Sequence, residues 1–187
     1  MTTIVDRIEP PSAETRDALN AGPTALEAFR KAFAEMACLE QIEQVAAPVK
    51  DMPALTSARI VFWNAERLKY MTPSIAILAN LDADAYLLCE LDFGMARSRN
   101  IHTTADLARA LNAGYAFAVE FVELGLGDAR ERSGHKGENN AGGLHGAGLV
   151  SCRPMTRPRL VRLETTGRWF DGEFGERRVG GRMAVMA

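Results

Sequence analysis

Two polar side chains stand at the ends of short apolar runs in this chain. Arg59 to Trp63 (R-I-V-F-W) stops at Asn64, and Ala85 to Cys89 (A-Y-L-L-C) stops at Glu90. Both runs are β-branched or aliphatic and short, which is the pattern of buried strands. Between them Thr72-Pro73 opens a helix, because the hydroxyl can cap and proline at a first helical position loses no needed bond. Ile75, Leu78 and Leu81, with Ile77 beside them, recur at helical spacing. Asp82-Ala83-Asp84 then turns the chain. A right-handed strand–helix–strand crossover brings the carboxyl ends of its strands to one rim, where open α/β sheets place their sites. A carboxamide and a carboxylate meeting there can hold and orient a polar substrate. The plainer alternative is that a strand must turn polar where it leaves the core.

The loop after Glu90 is G-M-A-R-S-R-N-I, Gly94 to Ile101. It puts Arg97 and Arg99 where a substrate phosphate can meet them, or where they are simply solvated. His145 lies in G-G-L-H-G-A-G before another apolar run and can approach the same phosphate; a structural histidine among glycines is the alternative. Those glycines lead into a strand, so they are no dinucleotide fingerprint, which must lead into a helix. Glu66 and Asp92 are further acids close to the two strand ends.

The elements around this unit follow from the same rules. Residues 1 to about 22, with Pro10-Pro11 and Gly22-Pro23, read as a flexible leader. Pro23 to about Ala46 reads as an amphipathic helix burying Leu26, Phe29, Phe33, Met36 and Ile42, stopped by Pro48. It would cover the sheet or meet another subunit. Val49 to Ser57 is a linker. Thr103 or Thr104 caps a helix through Leu111. Tyr115 to Leu124 alternates as a strand, with Tyr115, Phe117, Val119 and Phe121 on one face. Gly125 to Gly143 reads as a long polar loop. Leu149 to Ser151, Leu160 to Leu163 and Arg182 to Met186 read as three further strands. The expected division is 1–57, leader and helix, and 58–187, the α/β domain.

Three motifs carry a resemblance. W-N-A-E-R, then L-L-C-E-L-D, then G-A-G-L-V-S-C-R-P-M (Gly146 to Met155) resemble, in order, the first motifs of the endonuclease/exonuclease/phosphatase family, which shares its fold with DNase I. Cys89 stands where that family usually has Gln, Ala147 where it has Asn and Cys152 where it has Arg. The resemblance covers roughly Arg59 to Ala187. It implies an α/β (α+β) fold, a DNase I-like α/β/β/α sandwich of two sheets packed face to face with helices outside. It also implies metal-dependent phosphoester hydrolysis. Glu90 would bind Mg²⁺ (or Mn²⁺) directly, and Asn64 would act as a further ligand, as its partner, or as donor to a phosphate oxygen. Both would be catalytic, with Arg97, Arg99 and His145 as substrate contacts and nucleic acid among the possible substrates. The later motifs, G-D-x-N and S-D-H, do not occur. The chain therefore reads as the first half of such a fold with an added N-terminal helix, expected to turn over little alone and to associate through an uncovered sheet face. The alternative is a non-catalytic relic or binding module.

Composition narrows the class without choosing between these. Hydrophobic residues make up 47% and charged residues 25%, which fits one folded domain rather than a disordered chain. A net charge of −2 excludes a global polyanion-binding field. Locally, Ser151 to Ala187 carries eight arginines against four acids, which suits a phosphate-bearing partner or a solvated surface. Cys38, Cys89 and Cys152 have neither metal nor disulfide spacing. With no apolar leader and no run of about 18 apolar residues, a cytoplasmic protein is expected.

Overall fold

The computed structural model describes residues 2–48 and 54–187. Among the described residues the strands are β1 (Thr3–Val5), β2 (Gln41–Val45), β3 (Ile60–Asn64), β4 (Ala85–Phe93), β5 (Gly114–Glu123), β6 (Leu144–Ser151), β7 (Arg159–Arg162), β8 (Arg178–Gly180) and β9 (Met183–Met186). The α-helices are α1 (Ala13–Ala21), α2 (Leu26–Glu35), α3 (Met71–Asn80), α4 (Thr103–Ala110) and α5 (Ala129–Gly134).

The alternation of large and small residues in β5 explains the layers. Tyr115, Phe117 and Val119 face a core shared with Phe29, Leu39, Leu78, Leu91 and Leu107 from the helices and neighbouring strands. Ala116 and Ala118 face the other way. With Ile42 and Leu149 they offer a shallow surface, onto which Leu160, Met183 and Val185 of the β7–β9 hairpin pack. A row of alanines lets a second sheet approach closely. The main sheet runs β1-β2-β5-β6-β4-β3, with β8 pairing β5 beyond the end of β2. It is mixed: β1–β2 and β3–β4 are parallel, while β2–β5, β5–β6 and β4–β6 are antiparallel. The coarse α/β class, a central mixed sheet with several helices, therefore agrees with the sequence.

Several expectations change. Residues 2–22 are no loose leader. β1 pairs in parallel with β2, Ile8 is fully buried, and Ser12 caps α1 by accepting from the Thr15 amide. Arg16 is also buried; it donates to the carbonyls of Pro11 (2.6 Å), Asn140 (2.6 Å) and Gly142 (3.0 Å). The expected helix through Ala46 ends at Glu35, and Gln41–Val45 becomes β2. A five-residue run cannot be assigned by period alone. Here the bare edge of β5 decides, supported by Glu43, whose carboxylate accepts from the Ile8 amide (2.8 Å) and from the Tyr115 hydroxyl. A boundary at residue 57 is thus not seen, because β1 and β2 belong to the main sheet; Val49–Pro53 of the expected linker lie outside the described residues. α3 buries Met71, Ser74 and Leu78, leaving Ile77 and Leu81 exposed. His102, not a threonine, caps α4. Part of the expected polar loop forms α5.

On the second face the β7–β9 hairpin stops short of β3, where Ile60 and Phe62 are exposed, Phe62 at 73%. Among the described residues no helix is long and apolar enough to cross a membrane. The three cysteines are free, and burial pushes the Cys38 thiol up to about 11.

The burial of Ile8 has a measurable consequence. Ile8→Ala should lower unfolding free energy by about 2–5 kcal/mol in urea titration, as a core truncation does. A change within about 0.5 kcal/mol would mean that the N-terminal segment does not pack as described.

Candidate functional site

Asn64 ends β3, but the strand end expected at Glu90 is not one. β4 runs on to Phe93, and Glu90 stands at a bulge within it, just past the point where the parallel β3–β4 ladder stops; there the structure brings the two side chains together. The Asn64 amide nitrogen donates to Glu90 Oε1 at 2.8 Å, while its Oδ1 accepts from the Glu66 amide at 3.1 Å. Both ends of the carboxamide are therefore engaged. Glu90 reaches Asn64 because β4 is bulged there. Leu88 pairs with Gly148 and Leu91 with Gly146, so two residues of β4 oppose one of β6. Glu90 sits in the left-handed region at φ 56°, an uncommon conformation for a non-glycine residue. The segment after Asn64 is strained as well, with Glu66, Arg67 and Leu68 at φ 45°, 64° and 50°. Such strain gathers where a fold holds side chains in a required geometry.

That strained turn aims Arg67 back at the rim. Its Nη1 lies 3.3 Å from Glu90 Oε2, and its Nε lies 3.7 Å from Glu131 Oε1. Glu131 belongs to a capping box on α5, in which Asp128 accepts from the Glu131 amide (2.9 Å) and Glu131 accepts from the Asp128 amide (3.2 Å). The other function of Glu131 is to receive Arg97 Nη1 at 2.9 Å.

Arg97 departs from expectation. It is buried rather than offered to a phosphate, and its guanidinium makes a bidentate pair with Asp92, Nε to Oδ2 and Nη2 to Oδ1, both 2.9 Å. Glu123 lies 3.8 Å away on the other side. Asp92 has no free lone pair to spare for a ligand, because the Ser98 hydroxyl and His145 Nδ1 (2.8 Å) also donate to it. His145 is likewise buried, against its expected role. Its Nδ1 also lies 3.1 Å from Arg97 Nη2. A guanidinium has no acceptor, so the proton on Nδ1 goes to Asp92 and the arginine contact is only a close approach. Arg99 alone among the expected loop contacts is exposed. Glu66 is exposed too, paired to Lys69 at 3.7 Å.

The electrostatics follow from this packing. Burial raises the Asp92 carboxyl, but the Arg97 and His145 hydrogen bonds overcome it and hold the group well below the carboxylate range. Burial would lower Arg97, yet its bond to Asp92 and the nearby Glu123 and Glu131 charges raise it. Glu123 is fully buried, and burial pushes its carboxyl up despite Arg178 Nε at 2.7 Å. A line of alternating charge therefore leads inward from the rim, Glu90–Arg67–Glu131–Arg97–Asp92, and His145 hydrogen-bonds its inner end.

Two sizeable clefts lie elsewhere. One of about 570 Å³ sits between α1 and α2, by Leu19, Met36 and Cys38. Another, of about 650 Å³, lies by Arg59, Asp84 and Cys152, at the opposite ends of β3 and β4. Cleft size alone favours those. The strand ends favour the rim, because the carboxyl side of an open sheet gathers the strained backbone and the convergent polar groups. Among the described residues no three His, Cys, Asp or Glu side chains gather as a metal cage. Arg67 and Glu131 are absent from the sequence-level set, although the Asp128-x-x-Glu131 capping spacing was readable. No family model matches this chain, and neither the curated proteins nor the solved structures compared with it contain a match.

Removing Arg97 strands Asp92 without its cation, so Arg97→Ala should cost about 3–5 kcal/mol, whereas Arg99→Ala should stay within about 0.5 kcal/mol; urea unfolding separates them. The acid limb gives a second check. A depressed Asp92 contributes stability above its unfolded value near 3.9, and that contribution is lost as pH falls through the lower folded value. Raised Glu123 works in the reverse sense, costing stability when ionised and partly offsetting the loss. Asp92→Asn should therefore be less stable than the parent at pH 7 and show a shallower acid limb in unfolding below about pH 4. Parallel acid limbs would show that the Asp92 pairing does not contribute as described.

Proposed function

We propose that the Asn64–Glu90 rim serves phosphate-ester hydrolysis with a divalent metal, Mg²⁺ or Mn²⁺. The observation that supports this most is the carboxamide-to-carboxylate hydrogen bond from the end of β3 to its parallel neighbour β4, where a bulge turns Glu90 into a left-handed conformation. A buried structural pair would need neither the strain nor the exposure; Asn64 is exposed and the Glu90 side chain is 34% accessible. The donor set suits a hydrated Mg²⁺ held by one carboxylate, waters and substrate phosphate, and does not suit an all-protein cage. Bound there, the cation would neutralise charge developing on the phosphate and orient the ester.

The chain's own residues divide the remaining work. Asn64 holds Oε1 of Glu90 in place, leaving Oε2 as the directed oxygen. Arg67 now occupies the cation side of that oxygen. With a cation held by Glu90, the Arg67 guanidinium would be free to meet a phosphate oxygen, for which its fork geometry is suited. Arg97, Asp92 and His145 act from behind, fixing Glu131 and through it Arg67. Arg99 is placed to meet substrate charge from solvent.

The Arg67–Glu90 pair also favours the second reading, a non-catalytic binding module, since it already neutralises the carboxylate without a metal. Mn²⁺ titration by calorimetry separates the two. The proposal assigns no general base, so metal uptake is the decisive readout rather than turnover. Wild type should bind saturably, and Glu90→Gln should bind at least tenfold more weakly, about 1.4 kcal/mol. Arg67→Gln should bind more tightly, by roughly fivefold, from removing a neighbouring unit charge worth about 1 kcal/mol in water. Absence of uptake by wild type, or equal uptake by Glu90→Gln, leaves the binding-module reading in its place.

A further inference from the structure

The connection between β7 and β8 carries Arg168, Trp169, Phe170 and Phe174, and it folds over the bulged end of β5. There Phe121 has changed faces. Tyr115, Phe117 and Val119 point into the helix-side core, and so does Val122, because a second bulge lies between Val119 and Phe121. Released from that core, Phe121 meets Trp169 edge to face at 4.9 Å and 68°. Arginines interleave with the rings. Arg178 lies 5.2 Å from the Phe121 centroid, and Arg182 lies 5.8 Å from Phe121 and 5.0 Å from Trp169. Arg168 lies 5.6 Å from Trp169 and 4.9 Å from Phe174.

The inner half of this stack is accounted for by folding. Phe121 is buried, and Arg178 pairs with Glu123 (2.7 Å) and Glu176 (2.6 Å). The outer half is not. Phe174 is 46% exposed, the Arg182 side chain is 60% exposed, Trp169 is half-buried and Arg168 is exposed. Among the described residues Arg168 faces no carboxylate; its guanidinium meets only the two rings. An arginine kept for structure is ordinarily closed off by an acid, and a ring kept for packing is ordinarily covered. Here aromatic faces are presented to solvent together with the charge of Arg168, which no carboxylate meets, and the exposed guanidinium of Arg182, which Glu120 pairs on one side.

We propose that Arg168, Trp169, Phe174 and Arg182 form a stacking platform for single-stranded nucleic acid. The chemistry selects that class. Unpaired bases offer π-faces to Phe174 and Trp169, while the phosphates between them suit Arg168 and Arg182. A duplex hides its base faces, and a lipid headgroup has none to stack.

The platform lies on the way to the Glu90 rim. Arg182 pairs with Glu120 at 2.8 Å, and Glu120 is the extra residue of the β5 bulge. Across β6 from it is the Glu90 bulge of β4, two inter-strand spacings or on the order of 10 Å away. A strand stacked on the platform can thus run past the rim. That it is the substrate of the rim rests on the phosphoesterase reading; the platform itself does not.

The test is fluorescence anisotropy of a labelled oligo-dT strand, together with quenching of tryptophan emission, in EDTA so that no metal takes part. Saturable binding is expected, weakening as salt rises. Phe174→Ala should weaken it roughly tenfold, the value of one stacked ring. Arg168→Ala should weaken it and lower the salt slope by about one. Lys31→Ala, an exposed charge on α2, should change nothing. Phe174 and Arg168 are exposed, and thermal melts matching the parent would confirm that their variants fold. The proposal is overturned by no saturable binding, by duplex DNA binding as tightly as oligo-dT, by phosphoinositide vesicles binding where oligo-dT does not, or by a Phe174→Ala variant that binds as the parent does. Because EDTA is present throughout, oligo-dT binding without Mn²⁺ uptake removes only the phosphoesterase reading, and Mn²⁺ uptake without oligo-dT binding removes only the platform.

Discussion

Gly146 lies where two bulges meet. Leu91 of β4 pairs with it on one side and Val119 of β5 on the other, and each of those strands carries its irregularity at that level. The backbones close so tightly there that a Cβ on Gly146 would stand 2.0 Å from the Ala118 carbonyl oxygen. Only a residue without a side chain lets β5 approach this closely. Much of the unusual geometry gathers at this level. One bulge turns Glu90 to Asn64; the other turns Phe121 away from the core and toward Trp169. The same stretch of β6 also delivers His145 to Asp92 at 2.8 Å, just past the bulges.

Beyond that level the interior is charged. Asp92, Arg97, Glu123, Glu131 and His145 are all buried, an arrangement that costs several kcal/mol per ion to desolvate and is recovered only through close pairing. Arg97 carries most of the pairing, with Asp92 bidentate and Glu131 at 2.9 Å. Hydrophobic side chains would fill the same volume at less risk. The network instead makes Glu131, and through it Arg67, depend on a fixed interior, so the cation that faces Glu90 is held from behind rather than left to solvent. Oriented supports of this kind are how a small polar site keeps its geometry.

The second sheet shows how function and packing share one surface. The β7–β9 hairpin covers the alanine-lined part of the main sheet and stops before β3, where Ile60 and Phe62 remain exposed. The connection that follows β7 carries the arginines and aromatics to the bulged end of β5. The arginine excess of residues 151–187 is therefore not spread evenly over a solvated face. Arg162 binds the carbonyls of Val119 (2.6 Å) and Gly181 (3.1 Å), Arg177 binds Phe170 (2.9 Å) and Arg178 pairs with Glu123, while Arg157, Arg159, Arg168 and Arg182 are exposed, and of these Arg168 and Arg182 lie against the rings.

The strand–helix–strand unit from Ile60 to Phe93 was legible in the sequence, since its β-branched and aromatic runs flank an apolar stripe at helical spacing. So was the nearness of Asn64 and Glu90 on parallel neighbours, although β4 runs on through Glu90 to Phe93. The fates of Arg97 and His145 were not legible. An arginine in a polar loop and a histidine among glycines look solvent-facing until Asp92, Glu123 and Glu131, distant in sequence, close around them. β2 was hidden for a related reason: I-E-Q-V suits a helix or a strand, and pairing with β5 decides between them. Local pattern alone determined which segments have one strong conformation and where their polar ends fall. Tertiary structure decided which ambiguous segments joined the sheet, which charges were buried, and which way Phe121 points, because each depends on contacts or bulges that no window of neighbouring residues contains.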